Sequence, residues 1–228
     1  MEKNKFLTSL VVVILVLPYA DATFSGTKET LCATLMRSSG HNVTAIDLGA
    51  SGINPKQALE IPHFSDYLSP LMEFMDSLPT NKKVVLVGHS LGGLAISKAM
   101  EIFPEKIPVA VFVTALMPGP TLNAATLYTQ TFSAVIGQLD NRVTYDNGLT
   151  NPPTTLILGP KYLATNIYQL IGTTLIRPYY LYRVEDISKE IVLSRKRYGS
   201  VRKEFQKRII EKNPPDEVEV IQSSDHDV

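Results

Sequence analysis

Apolar and polar positions change period repeatedly along this 228-residue chain. Val11 to Leu17, Asn42 to Leu48, Val84 to Val87 and Val109 to Thr114 are short apolar runs of strand character, the kind buried on both faces of a parallel sheet. Stretches of helical spacing lie between them. Lys28 to Ser38 carries Leu31, Leu35 and Met36 and meets a C-cap at Gly40; Phe64 to Leu78 is closed by Pro79. Leu91, Leu94, Ala95, Ala99 and Ile102 form a third helix, stopped by Pro104. Strand alternating with helix predicts an α/β fold, a mainly parallel sheet with helices on both faces, as a single domain over 1–228. From Pro118 to Arg183 the texture differs: prolines, an Asn-Gly turn signal and scattered tyrosines predict a cap inserted over 118–183. Sheet rhythm is expected again at Val218 to Ile221, leading into Ser223-Ser224-Asp225-His226.

Residues 1–22 fit two readings. Lys3 and Lys5 before the run Phe6 to Leu17, with Ala20-Asp21-Ala22 as a small-residue cleavage site, have the form of a secretory signal peptide. The β-branched run Val11 to Leu17 equally suits a first core strand of the domain.

Gly88-His89-Ser90-Leu91-Gly92 follows the third strand directly and opens the third helix. In that context G-x-S-x-G forces its serine onto a sharp turn with the hydroxyl exposed at the end of the sheet. Glycine is required because the helix must leave close beside the strand. Ser90 at a helix start lies where unpaired N–H groups favour negative charge, and the backbone N–H of Leu91 becomes a candidate oxyanion donor. A serine hydroxyl needs a base; His226, in a Ser/Asp loop after the C-terminal strand, is the candidate general base. His41, His63 and His89 are weaker candidates on their sequence settings. The plain alternative for Ser90 is a helix N-cap, and for His226 a frayed terminal residue.

Charge adds exclusions. Twenty-two Lys and Arg balance 22 Asp and Glu, so no nucleic-acid surface is expected, and the locally basic stretch Arg195 to Arg208 reads as a solvated helix face. Cys32 is the only cysteine, and the four histidines lack metal-ligand spacing, so neither an intrachain disulfide nor a metal site is expected.

Several motifs in order, Gly40 to Leu48, Ala50-Ser51-Gly52-Ile53-Asn54-Pro55, Lys83 to Gly93, Phe103-Pro104-Glu105-Lys106-Ile107, Gly159 to Ala164, Tyr198-Gly199-Ser200-Val201 and Ser224-Asp225-His226, resemble the plant methylesterase and hydroxynitrile lyase family of α/β-hydrolases. The resemblance implies an α/β-hydrolase fold and a cofactor-free serine carboxylesterase cleaving methyl esters of small plant acids such as salicylate, jasmonate or indole acetate. It places Ser90 as nucleophile and His226 as base, leaves a homodimer open, and favours retention of the first strand and a cytoplasmic protein over secretion. Three departures matter. The first apolar run ends in Leu17-Pro18-Tyr19 where the family has His-Gly, and Arg202-Lys203 runs straight into Glu204-Phe205-Gln206 where the family has a strand and the loop bearing the triad acid. Asp227 stands where a lyase lysine is expected. The triad acid is therefore unassigned, and the expectation is reduced or negligible esterase activity. The alternatives are an inactive relative that binds small ligands and, last, a hydroxynitrile lyase.

Overall fold

A computed structural model describes residues 11–16, 33–51, 54–56, 60–61, 63–145, 148–150, 155–167, 179–181 and 203–219. Four strands, β1 (Val11–Val16), β2 (Asn42–Asp47), β3 (Val84–His89) and β4 (Val109–Val113), pair in parallel in the order β2-β1-β3-β4. In register, Val11 lies beside both Asn42 and Val84, so β1 occupies the centre, with two neighbours.

Side chains of β3 alternate between two apolar layers, as the period of a strand requires. Val84 and Leu86 enter the main core, whereas Val85 and Val87 pack toward Ala33 and Val43 beneath the helical residues 33–38. Helices therefore cover both faces.

On the main-core face lies α1 (Phe64–Ser77), which buries Phe64, Tyr67, Leu68, Leu71 and Met75, one stripe at helical spacing. Its Pro70 leaves the Asp66 carbonyl without the usual donor four residues on, and the Ser69 hydroxyl donates to it at 3.0 Å. At the other end Lys106 Nζ donates to the carbonyls of Met75 (2.8 Å) and Leu78 (2.7 Å), meeting both the orphan acceptors and the negative end of the helix dipole.

Helix α2 (Gly92–Ile102) is buried along nearly its whole first half, from Gly92 to Ser97. It can lie there only because two positions lack side chains. A Cβ on Gly88 would sit 2.9 Å from the Gly92 carbonyl oxygen, and one on Gly93 would sit 2.0 Å from the Leu116 carbonyl oxygen. The second overlap cannot be relieved by rotating a side chain, because the obstruction is backbone.

Within 118–183 the described residues form helix α3 (Ala124–Val135), strands β5 (Arg142–Thr144), β6 (Thr155–Leu158) and β7 (Tyr179–Leu181), and the short helix α4 (Pro160–Tyr162). The three strands make a separate antiparallel sheet in the order β5-β6-β7. Leu127, Tyr128 and Phe132 of α3 and Leu156 and Leu158 of β6 join the same core as Leu86 and Leu94. Half-buried Asp140 caps α4, accepting from the N–H groups of Lys161 (2.9 Å) and Tyr162 (3.0 Å). Desolvation raises its pKa, but those N–H groups and the charge of Lys161 prevail and hold the carboxyl below its ordinary value.

Helix α5 (Lys203–Lys212) closes the described chain. Its Lys207 and Arg208 are exposed, a solvated face over that part of the basic stretch. The strand expected from Val218 is not formed at 217–219. Val218 is 42% exposed between two glutamates, and no described strand pairs with it.

Two outcomes follow from this packing. Gly93→Ala should destabilise the fold by about 3 kcal/mol or more, the upper range for overpacking, and lower the thermal midpoint by several degrees in circular dichroism. A depressed carboxyl pKa contributes stability above the unfolded value and loses it as pH falls through the folded one. Asp140→Asn should therefore melt below wild type at pH 7, with the gap closing as pH drops below about 4; a gap independent of pH would contradict this cap.

Candidate active site

The order β2-β1-β3-β4 places a change of chain direction between β1 and β3. Crossovers leave in opposite directions from these two strands, so a crevice opens beyond their carboxyl ends, the usual ligand position in open α/β sheets. Ser90 is the first residue beyond β3.

Backbone conformation at that edge is unusual. Among the described residues four non-glycines have positive φ, and three of them follow the carboxyl ends of strands: Ala50 (53°) after β2, Ser90 (53°) after β3 and Thr114 (43°) after β4. Each such residue costs on the order of 1 to 3 kcal/mol, and such strain gathers where a site must be shaped. At Ser90 the cost is met by hydrogen bonds. Its N–H donates to the Val113 carbonyl (3.3 Å), and its own carbonyl accepts from Leu116 N–H (2.9 Å) and Gly93 N–H (3.2 Å).

Leu91 returns immediately to right-handed helical geometry (φ −63°, ψ −23°) as the N-cap of α2. Its N–H precedes the intrahelical ladder, where helices leave donors for outside partners. Ser90, Leu91 and His89 are all half-buried. A serine in this position can present Oγ to an incoming carbonyl, with the adjacent N–H and the positive end of α2 placed for negative charge.

The histidines fall in separate places. His41 precedes β2 and so lies at the amino ends of the parallel strands, roughly 20 Å from the carboxyl ends for strands of this length. His63 is exposed at the N-cap of α1, with its N–H donating to Asp66 Oδ2 at 3.3 Å. His89 ends β3, one residue before Ser90. His226 lies outside the described residues, whereas Lys203 to Gln206, the junction where the family's acid-bearing loop is missing, opens helix α5. Among the described residues no group of three His, Cys, Asp or Glu could hold a metal ion.

Sequence reasoning missed Gly93 and Leu116. Gly93 lies one position past the five-residue motif, and its role shows only in the 2.0 Å that would separate an added Cβ from the Leu116 carbonyl oxygen. Leu116 reads as an ordinary apolar residue after β4, yet its N–H holds the Ser90 carbonyl.

Residues 26–228 match the model of the alpha/beta hydrolase family. Methyl jasmonate esterase 1 of Vitis vinifera is 46% identical over 214 residues, covering 85% of this chain and 82% of that protein. Polyneuridine aldehyde esterase of Rauvolfia serpentina is 39% identical, covering 84% and 81%. Among solved structures, tomato methylketone synthase I complexed with 2-tridecanone is 58% identical, with a TM-score of 0.82 over 96% of this chain and 91% of that one. With its parallel sheet, its helices and these plant methylesterase relatives, the chain belongs to the alpha/beta hydrolase family.

Proposed function

We propose that this protein is a serine carboxylesterase that hydrolyses methyl esters of small plant acids of the jasmonate, salicylate or indole acetate type. The observation that carries the reading is Ser90, held left-handed at φ 53° where β3 meets α2. Similarity to a methyl jasmonate esterase supports the substrate class.

In this mechanism His226 takes the Ser90 hydroxyl proton as Oγ attacks the ester carbonyl. The tetrahedral oxyanion receives a hydrogen bond from Leu91 N–H. Collapse expels methoxide, which takes the proton from His226 to leave as methanol, with the acyl group remaining on Ser90. Water, deprotonated by His226, then releases the free acid and restores the serine. No metal or cofactor takes part.

Rates decide how much activity to expect. An absent triad acid lowers kcat by about 10⁴-fold in well-studied serine hydrolases, and an absent oxyanion donor by about 10²- to 10³-fold. With no acid assigned here, slow turnover is the expectation.

Identity of 58% to tomato methylketone synthase I, whose solved structures include a variant complexed with beta-ketoheptanoate, favours a second reading for the same crevice. A β-keto acid that loses carbon dioxide leaves an enolate, which needs hydrogen-bond donors and a proton but no nucleophile. Ser90 therefore discriminates the two chemistries.

Wild-type protein should react with a fluorophosphonate at Ser90 and slowly hydrolyse p-nitrophenyl acetate and methyl jasmonate. Ser90→Ala should abolish labelling and lower hydrolysis by about 10²-fold, the factor left between loss of the acid alone and loss of the whole triad. A folded wild type that neither labels nor turns over would overturn the esterase reading. With beta-ketoheptanoate, gas chromatography should detect no 2-hexanone beyond the spontaneous rate; ketone formation that survives Ser90→Ala would favour the second reading. His226→Ala should cost as much ester hydrolysis as Ser90→Ala, because the two act as one unit.

A further inference from the structure

Ser90 and Leu91 share a peptide unit that is planar and trans, so its carbonyl and its N–H point in opposite directions. Whatever holds the Ser90 carbonyl therefore aims the Leu91 N–H. That carbonyl accepts from Gly93 N–H at 3.2 Å and, more closely, from Leu116 N–H at 2.9 Å, so the direction of the oxyanion donor depends in part on the irregular segment 115–117.

This segment has no ladder of its own in the described structure. Its carbonyls are instead met from α5 and from Asn213 just after it, some ninety residues away in sequence. Asn213 Nδ2 donates to the Met117 carbonyl at 3.2 Å and to the Leu122 carbonyl at 3.4 Å, while Gln206 Nε2 reaches the Ala115 carbonyl at 3.5 Å. Asn213 is itself fixed, since its N–H donates to Ile209 and its Oδ1 accepts from Thr121 Oγ1 at 3.2 Å. Both amides are almost fully buried, at 3% and 4% exposure, with Ile209 buried between them in sequence. Docking a helix needs only apolar residues, and burying an amide is costly unless it is bonded. Here the two amides bond the carbonyls on either side of Leu116.

We propose that Asn213, assisted by Gln206, is a positioning residue for ester hydrolysis: by clamping 115–117 it keeps Leu116 N–H on the Ser90 carbonyl and so keeps Leu91 N–H aimed at the oxyanion. This rests on the roles proposed above for Ser90 and Leu91. A purely structural role would lower the fraction of folded protein and scale every reaction equally. A positioning role acts on the oxyanion alone.

Two variants test it, Asn213→Asp, which keeps shape but replaces the donor, and Gln206→Met, which keeps length and serves if the first does not fold. A thiono analogue of p-nitrophenyl acetate develops negative charge on sulfur, a weak acceptor, and so gains little from the N–H. In Asn213→Asp kcat for the oxygen ester should fall about tenfold or more, toward the roughly 10²-fold cost of a misplaced catalytic group, with KM changed less than about twofold. Its preference for the oxygen ester over the thiono ester should shrink by the same factor. In 15N-leucine-labelled protein, hydrogen exchange at Leu116 should accelerate more than at Leu71 and Leu127, which report core opening. An unchanged oxygen-to-sulfur preference together with Leu116 exchange that follows Leu71 would overturn the proposal. If wild type hydrolyses neither ester, the esterase reading fails separately, and the exchange at Leu116 alone decides whether the clamp exists.

Discussion

The approach of α2 to the chain leaving β4, where Gly93 faces the Leu116 carbonyl, is the constraint on which the site depends. A helix that starts two residues after a strand must fold back close against the sheet, and a Cβ at Gly93 would fall 2.0 Å from that oxygen. Because the approach is so close, Leu116 can also donate to the Ser90 carbonyl. One residue after β4 thus limits where the helix can lie and holds the strained turn. The strain at Ser90 is stable because hydrogen bonds on both sides of the residue determine its conformation.

Sheet topology then gives the turn its use. With β1 between β2 and β3, the crevice opens at the strand ends where Ala50, Ser90 and Thr114 turn left-handed. Helix α1 and strand β6 of the antiparallel sheet share one core with the parallel sheet, through Leu71 and Met75 and through Leu156 and Leu158. Beside that second sheet the Asp140 carboxylate caps α4, accepting from Lys161 and Tyr162 N–H, while Asn141 links the Val135 carbonyl at the end of α3 to Gly159 N–H after β6.

Much of this was legible from residues alone, for physical reasons. Phe64 to Ser77 and Gly92 to Ile102 each carry an apolar stripe long enough to reveal the helical period, and β3 is a continuous apolar run. The motif around Ser90 couples local sterics to chemistry, so five residues were enough to place the nucleophile candidate. Strands β5 and β7 have three residues each, too few to show any period. Val218 suggested a strand by composition, but a strand exists only with a neighbour, and composition does not supply one. Gly93, Leu116, Gln206 and Asn213 act through backbone contacts, which leave no pattern in side-chain type. Chain order alone points to His226, which lies outside the described residues.

The central claim is that the Ser90 turn is built to place a tetrahedral oxyanion against Leu91 N–H. The most direct measurement is a crystal structure of protein treated with a methyl phosphonate ester, whose adduct mimics the tetrahedral intermediate. The account predicts a bond from Ser90 Oγ to phosphorus and a phosphonyl oxygen about 2.7 to 3.1 Å from the Leu91 nitrogen. An adduct on another residue, or one on Ser90 with both oxygens turned away from Leu91, would contradict it.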